Sequence, residues 1–120
     1  MRKETDEEKL KVELSSFTGT EYYYRHFTGL KFTDGIKYLA DKTGCYWLID
    51  LIGSYQNLLK EIPFQVWTVK VNKGGYAVVT CREDTNEPVI VKQEIEYTDF
   101  PLSEFECYCI DGVLILKSEY

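Results

Sequence analysis

The sequence predicts an α+β fold in which N-terminal helices pack on one face of an antiparallel β-sheet meander. Three observations lead there. Apolar residues recur at helical spacing up to about residue 60, two-residue alternation replaces that period after Pro63, and the alternating runs are joined by short turns. At 120 residues the chain fits a single domain, 1–120, with a core large enough to stand without metal or disulfide support.

Each element has its own signal. Thr5 and Glu8 have capping-box spacing, and Leu10, Leu14 and Phe17 follow on one stripe, which predicts an amphipathic helix over residues 6–16 ended by Thr18-Gly19. The run "EYYYRHF" is rich in strand formers. As a strand it would set Tyr22, Tyr24 and His26 on one face and Tyr23, Arg25 and Phe27 on the other, although a helix starting at Thr20 also fits. In "TDGIKYLADKTG", Thr33 or Asp34 is the N-cap, Ile36, Leu39 and Ala40 form the stripe, and Gly44 is the stop. Leu48, Leu51, Ile52, Tyr55, Leu58 and Leu59 mark a longer helix from about Tyr46 to Lys60, which Pro63 terminates. Beyond it, "FQVWTVKV", "YAVVTCR", "VIVKQEIEY", "EFECYCI" and "VLILKSEY" read as strands, the last two joined by Asp111-Gly112, a strong hairpin signal. Trp47, Leu51, Trp67, Val79 and Val91 are expected in or near the core.

Composition narrows the function. Fourteen basic against twenty acidic residues give a net charge of −6, which speaks against a protein built to neutralise phosphates, so direct nucleic-acid binding is not expected. The charge is uneven. Over residues 81–120, Arg82, Lys92 and Lys117 face ten carboxylates, a balance of −7 that predicts an acidic surface serving either solubility or a basic partner. No apolar run has the length of a signal peptide or approaches the ~18 residues of a membrane span, so a cytoplasmic protein without membrane contact is expected. Cys45, Cys81, Cys107 and Cys109 then read as reduced thiols. On a strand, Cys107 and Cys109 would stand ~6.7 Å apart at Cα, a poor match to the ~3.8 Å that two zinc-bound thiolates prefer. No metal or other cofactor is expected.

The candidate site residues are Tyr22, Tyr24, Arg25, His26, Asp34 and Asp50. His26 is the sole histidine, set between Arg25 and an aromatic segment. It fits a satisfied core histidine, a surface imidazole near a carboxylate such as Asp34, or a contact residue, because arginine and tyrosine concentrate binding energy at interfaces. Asp50 and Ser54 share one helical face, either toward solvent or lining a polar pocket with Arg25 as counter-ion to Asp50. A Cys45–His26 hydrolase with an aspartate as orienting group can be drawn, yet no hydrolase signature surrounds Cys45, and Ser54 lacks a nucleophile elbow. Phosphate-loop, dinucleotide, HExxH and EF-hand patterns are missing from the sequence.

Five motifs, "FTGTEYYYRH", "TDGIKYLADKTGCYWLIDLIGSYQ", "FQVWTVKV", "YTDFPL" and "GVLILKSEY", together resemble the DUF6876 family of small bacterial proteins of unknown function. The resemblance leaves out the N-terminal helix, residues 1–16. It implies shared architecture and no mechanism, and it directs attention to Tyr24, Arg25, His26, Asp34, Asp50, Gln56 and the closing Ser118, Glu119 and Tyr120. Lys117 stands where the family pattern suggests proline, and Cys45 where it suggests alanine. Members look like accessory proteins of mobile elements. That implies a non-enzymatic protein-interaction module with a protein partner, modulating a host or competing nucleic-acid machine. The alternative is a small-ligand binder or enzyme whose pocket gathers Arg25, His26, Asp34 and Asp50. A homodimer joined through an edge strand is a third expectation.

Overall fold

The computed structural model describes residues 6–120, so Thr5 of the expected capping box lies outside the described residues. Three helices, α1 (Asp6–Ser15), α2 (Asp34–Thr43) and α3 (Tyr46–Tyr55), accompany seven strands: β1 (Tyr23–Arg25), β2 (Lys31–Thr33), β3 (Phe64–Val71), β4 (Ala77–Arg82), β5 (Val89–Ile95), β6 (Glu104–Ile110) and β7 (Val113–Leu116). A 3₁₀ turn, Lys117–Glu119, closes the chain. This is the α+β class the alternation predicts.

The strands form one sheet in the order β1-β2-β7-β6-β3-β4-β5. It is mostly antiparallel, with one exception: β2 runs parallel to β7, pairing Lys31 with Val113 and Phe32 with Leu114. Thus β1 and β2, written early in the chain, are docked onto its last strand, and β6 returns beside β3 rather than beside β5. A purely sequential meander would have neither feature.

Alternation decides which side of the sheet carries the core. Trp67 lies between Cys81 and Cys107 across three strands, and all three are buried. The same face includes Val69, Val79, Cys109, Leu114 and Leu116, against which Ile36, Leu39, Leu48, Ile49 and Ile52 pack. Trp67 and Val79 are fully enclosed, while Trp47, Leu51 and Val91 are half-buried at the margin of the same cluster. Among the described residues, the buried residues of α1, α2 and α3 all belong to this core cluster, and the opposite face meets only the closing 3₁₀ turn, through Tyr120 on Phe64 and Tyr108.

Two helix ends show how local chemistry shapes the fold. The Thr33 hydroxyl accepts from Ile36 N–H, and Gly44 takes a left-handed conformation at φ 77°, so α2 starts and stops where its sequence says. In contrast, α3 ends at Tyr55, short of the expected Lys60. Its period continues to Pro63 as tight three-residue turns, with Leu58 bonded to Tyr55, Leu59 to Gln56 and Ile62 to Leu59. Gln56 explains the stop. Its side-chain amide donates to Ile52 O and pairs reciprocally with Gln65, whose Oε1 also accepts from Trp67 Nε1. Gln56, to which the family resemblance drew attention, thus holds the Gln65 amide that satisfies the buried Trp67 indole.

Candidate functional site

The run "EYYYRHF" is a strand for only three residues, because His26 enters a turn in which His26 N–H donates to Leu30 O and Gly29 N–H to His26 O. Tyr24 points inward, half-buried, with its ring stacked on Phe32 at 5.5 Å and the Lys37 ammonium 5.6 Å above it. Tyr24 is thus a packing residue. Tyr23 and Arg25 take the other face, and Tyr22 lies outside the strand with 65% of its surface exposed.

His26 turns toward α3. Its Nε2 lies 2.6 Å from Asp50 Oδ1, and its Nδ1 lies 2.7 Å from Thr28 Oγ1 and accepts from Thr28 N–H at 3.2 Å. A backbone N–H can only donate, so Nδ1 is the acceptor and Nε2–H donates to Asp50 Oδ1. The imidazole is enclosed, at 9% side-chain exposure, whereas the carboxylate is 57% exposed. Gly53 makes the approach possible. A Cβ there would stand 2.5 Å from Thr28 Oγ1 and 3.3 Å from His26 Nδ1. The partner of Asp50 is therefore His26, and Arg25, its counter-ion in the pocket alternative, is not; the carboxylate itself stays largely on the solvent side. Arg25, the last residue of β1, borders the open face, while His26, in the turn that follows, reaches α3, so the two do not meet one carboxylate.

Asp34 is separate again. It opens α2 with Oδ1 buried and unbonded among the described residues. The four residues of the pocket alternative do not converge: His26 and Asp50 meet, while Arg25 and Asp34 stand elsewhere.

Arg25 instead borders a hollow of about 560 Å³ on the helix-free face, together with Tyr23, Tyr24, Lys31, Ile110, Val113 and Ile115. The sheet register creates it. Arg25 pairs with Lys31 and Lys31 with Val113, which puts two cations beside a floor of branched aliphatics. Neither cation forms an ion pair among the described residues. Beyond the hollow, Phe64, Tyr108 and Tyr120 form an aromatic cluster with ring centres 5.1 to 5.9 Å apart. Lys31, Tyr23 and the Val113/Ile115 pair were not among the sequence candidates. The available signal was "VLIL", which is apolar on both faces although helices lie on one side only.

The acidic third is not one surface. Glu106 is bonded to Thr68 and Lys117, and Glu119 turns inward at 8% exposure. The Glu119 carboxylate accepts from Thr33 Oγ1 at 2.6 Å, Leu116 N at 3.0 Å, and Gly35 N and Thr20 Oγ1 at 3.2 Å. It caps α2 from the far end of the chain. The thiols are inert by environment. All four cysteines are free and buried, and burial pushes Cys81 and Cys109 up to about 12. Cys45 precedes α3 without capping it, and burial raises its thiol as well.

The spacing of these anchors, from Thr20 and the 23–26 segment through α2 and α3 to the closing Ser-Glu-Tyr, is a whole-chain pattern. A model of the family described as being of unknown function, DUF6876, matches residues 8–120. The chain belongs to the DUF6876 family. In this DUF6876 protein the match takes in most of α1, which the motif resemblance left out, and it includes the Glu119 cap. Comparison with curated proteins and with solved structures gave no match.

Proposed function

We propose that this DUF6876 protein is a non-enzymatic interaction module whose helix-free sheet face binds a short acidic segment of a partner protein bearing aliphatic or aromatic side chains. One observation carries the reading: Arg25 and Lys31 flank an apolar hollow without carboxylate partners among the described residues, in a chain that is otherwise acidic. A single-sign patch on a surface of opposite overall charge steers one class of partner and holds it in register. Tyr23, which lines it and is 58% exposed, supplies area that costs little side-chain entropy to order. The net charge of −6 favours a peptide with a few carboxylates over a continuous polyanion. The setting we propose is the cytoplasm, as an accessory protein of a mobile element acting on a host or competing nucleic-acid machine; the motif resemblance supports that setting.

The test compares tagged wild type with Arg25→Glu and Lys31→Glu in capture from native lysate, followed by amide NMR shift mapping with the recovered partner. A partner kept by wild type and lost by both reversals, with shifts centred on Tyr23–Arg25 and Val113–Ile115, is the expected result. Equal capture by all three proteins, or recovery of nucleic acid in place of protein, would overturn the reading.

A further inference from the structure

Among the described residues the sheet ends at β1 and β5. β1 offers three residues, whereas β5 offers seven and has no described strand on its outer side. The usable part of β5 is shorter, and its limits are informative. Arg82 pairs with Val89 and Cys81 with Val91, so Ile90 is passed over in a bulge, and the chain bends after Ile95. A regular ladder of five residues remains, Val91–Ile95, centred on Gln93.

We infer that β5 is the joining edge of a two-fold dimer of this chain, antiparallel, with Gln93 facing Gln93 on the axis. Two independent features select that register. It is the one that uses the whole regular ladder. It also sets Lys92 of each copy opposite Glu94 of the other on the helix-free face, and Val91 opposite Ile95 on the helix side, each pair occurring twice. Moving the axis to Lys92 or to Glu94 places like charges directly opposite each other. The sequence of this edge is therefore complementary to itself in one register.

Conditions within one copy agree. Lys92 and Glu94 lie 3.9 Å apart, loosely paired and about 60% exposed, and although Glu94 also accepts from the Tyr76 hydroxyl, both keep an exposed side that can face a partner strand. Val91 and Ile95 are half-buried at the margin of the core, and a partner strand would continue that apolar row. A lone lysine often guards an edge strand against pairing; here Glu94 gives it a partner in the Gln93-centred register. Five residues a side make an interface at or below the small end of specific contacts, under about 1,200 Å², so the dimer dissociates on dilution. Its two Arg25 hollows sit at the far ends of a doubled sheet, which would give a partner two equivalent sites.

Sedimentation velocity on the full chain tests this across a wide range of concentration. The expected mass rises from 14.1 kDa toward twice that value. Lys92→Glu and Glu94→Lys should each weaken self-association by about tenfold or more, and the double variant K92E/E94K should restore it, since the cross-strand pairs then re-form with exchanged signs. A monomer at every concentration overturns the proposal, as does a dimer indifferent to the single reversals or one that the double reversal fails to restore. Arg25→Glu should leave the mass unchanged, which separates this proposal from the reading of the open face.

Discussion

Glu119, next to the last residue of the sequence, shows how much one side chain can hold. Its carboxylate satisfies Gly35 N–H at the start of α2, Leu116 N–H at the end of β7, and the hydroxyls of Thr20 and Thr33. Truncation to alanine strands several of these donors in a buried place at ~1–3 kcal/mol each. Glu119→Ala should therefore cost about 3 kcal/mol, read as a fall of about 2 M in the urea midpoint. Gly35→Ala acts on the same contact from the other side, because its Cβ would lie 2.5 Å from Glu119 Oε1. A loss of about 2 kcal/mol is expected there. The thiols give a prediction with a sign. Cys81 and Cys109 are held protonated by burial up to about 12, against 9.0 when unperturbed. The unfolded chain releases these protons first as pH rises, so their contribution is intact below pH 9 and is lost between 9 and about 12, at ~1.4 kcal/mol per pH unit for each thiol. Urea titrations from pH 7 to 11 should show this slope, and it should weaken in Cys81→Ala.

At the level of elements, the His26–Asp50 bond ties the turn between β1 and β2 to α3. That is a positional constraint on the very strand that presents Arg25. His26→Ala should loosen the turn and cost about 1–2 kcal/mol, with faster amide exchange at His26 and Gly29, the donors that close it. Partner capture should fall less than with Arg25→Glu, because the mutation removes a support and leaves the binding face chemically intact. If both variants lose the partner equally while both remain folded, the imidazole is itself part of the contact. Removal of residues 118–120 is an element-scale counterpart of Glu119→Ala. It deletes the α2 cap together with the Ser118 hydroxyl bond to Leu14 O that fastens α1, and it should destabilise more than the point substitution.

For the whole molecule, the distribution of charge decides behaviour more than its sum. The exposed carboxylates Glu83, Asp84, Glu87 and Glu94 lie on β5 or in the connection that leads into it from β4, and the Arg25–Lys31 pair lies at the opposite end of the sheet. Attraction of an acidic segment to that pair is partly solvent-exposed and so screened by salt. Partner retention should drop clearly when ionic strength is raised from about 0.05 M to about 0.5 M. Retention that persists at high salt would place the affinity in the apolar floor formed by Ile110, Val113 and Ile115, and Ile115→Asp should then abolish it.

By itself the sequence determined the α+β class, the caps of α2, the single apolar core around Trp67, and the family, because these rest on local periodicity and local hydrogen bonding. It marked Arg25 and His26 as neighbours worth examining, and it flagged the closing Ser-Glu-Tyr. Only the tertiary structure decided what each does. The parallel docking of β2 on β7 joins residues more than eighty positions apart, and no local pattern encodes which distant strands pair. That single choice brings Lys31 to Val113, creates the hollow beside Arg25, and lets Glu119 reach the start of α2. The sequence left Asp50 on the solvent face or, in the pocket alternative, beside Arg25; the turn after β1 gave Asp50 to His26, while Arg25, at the end of the strand, lies on the open face.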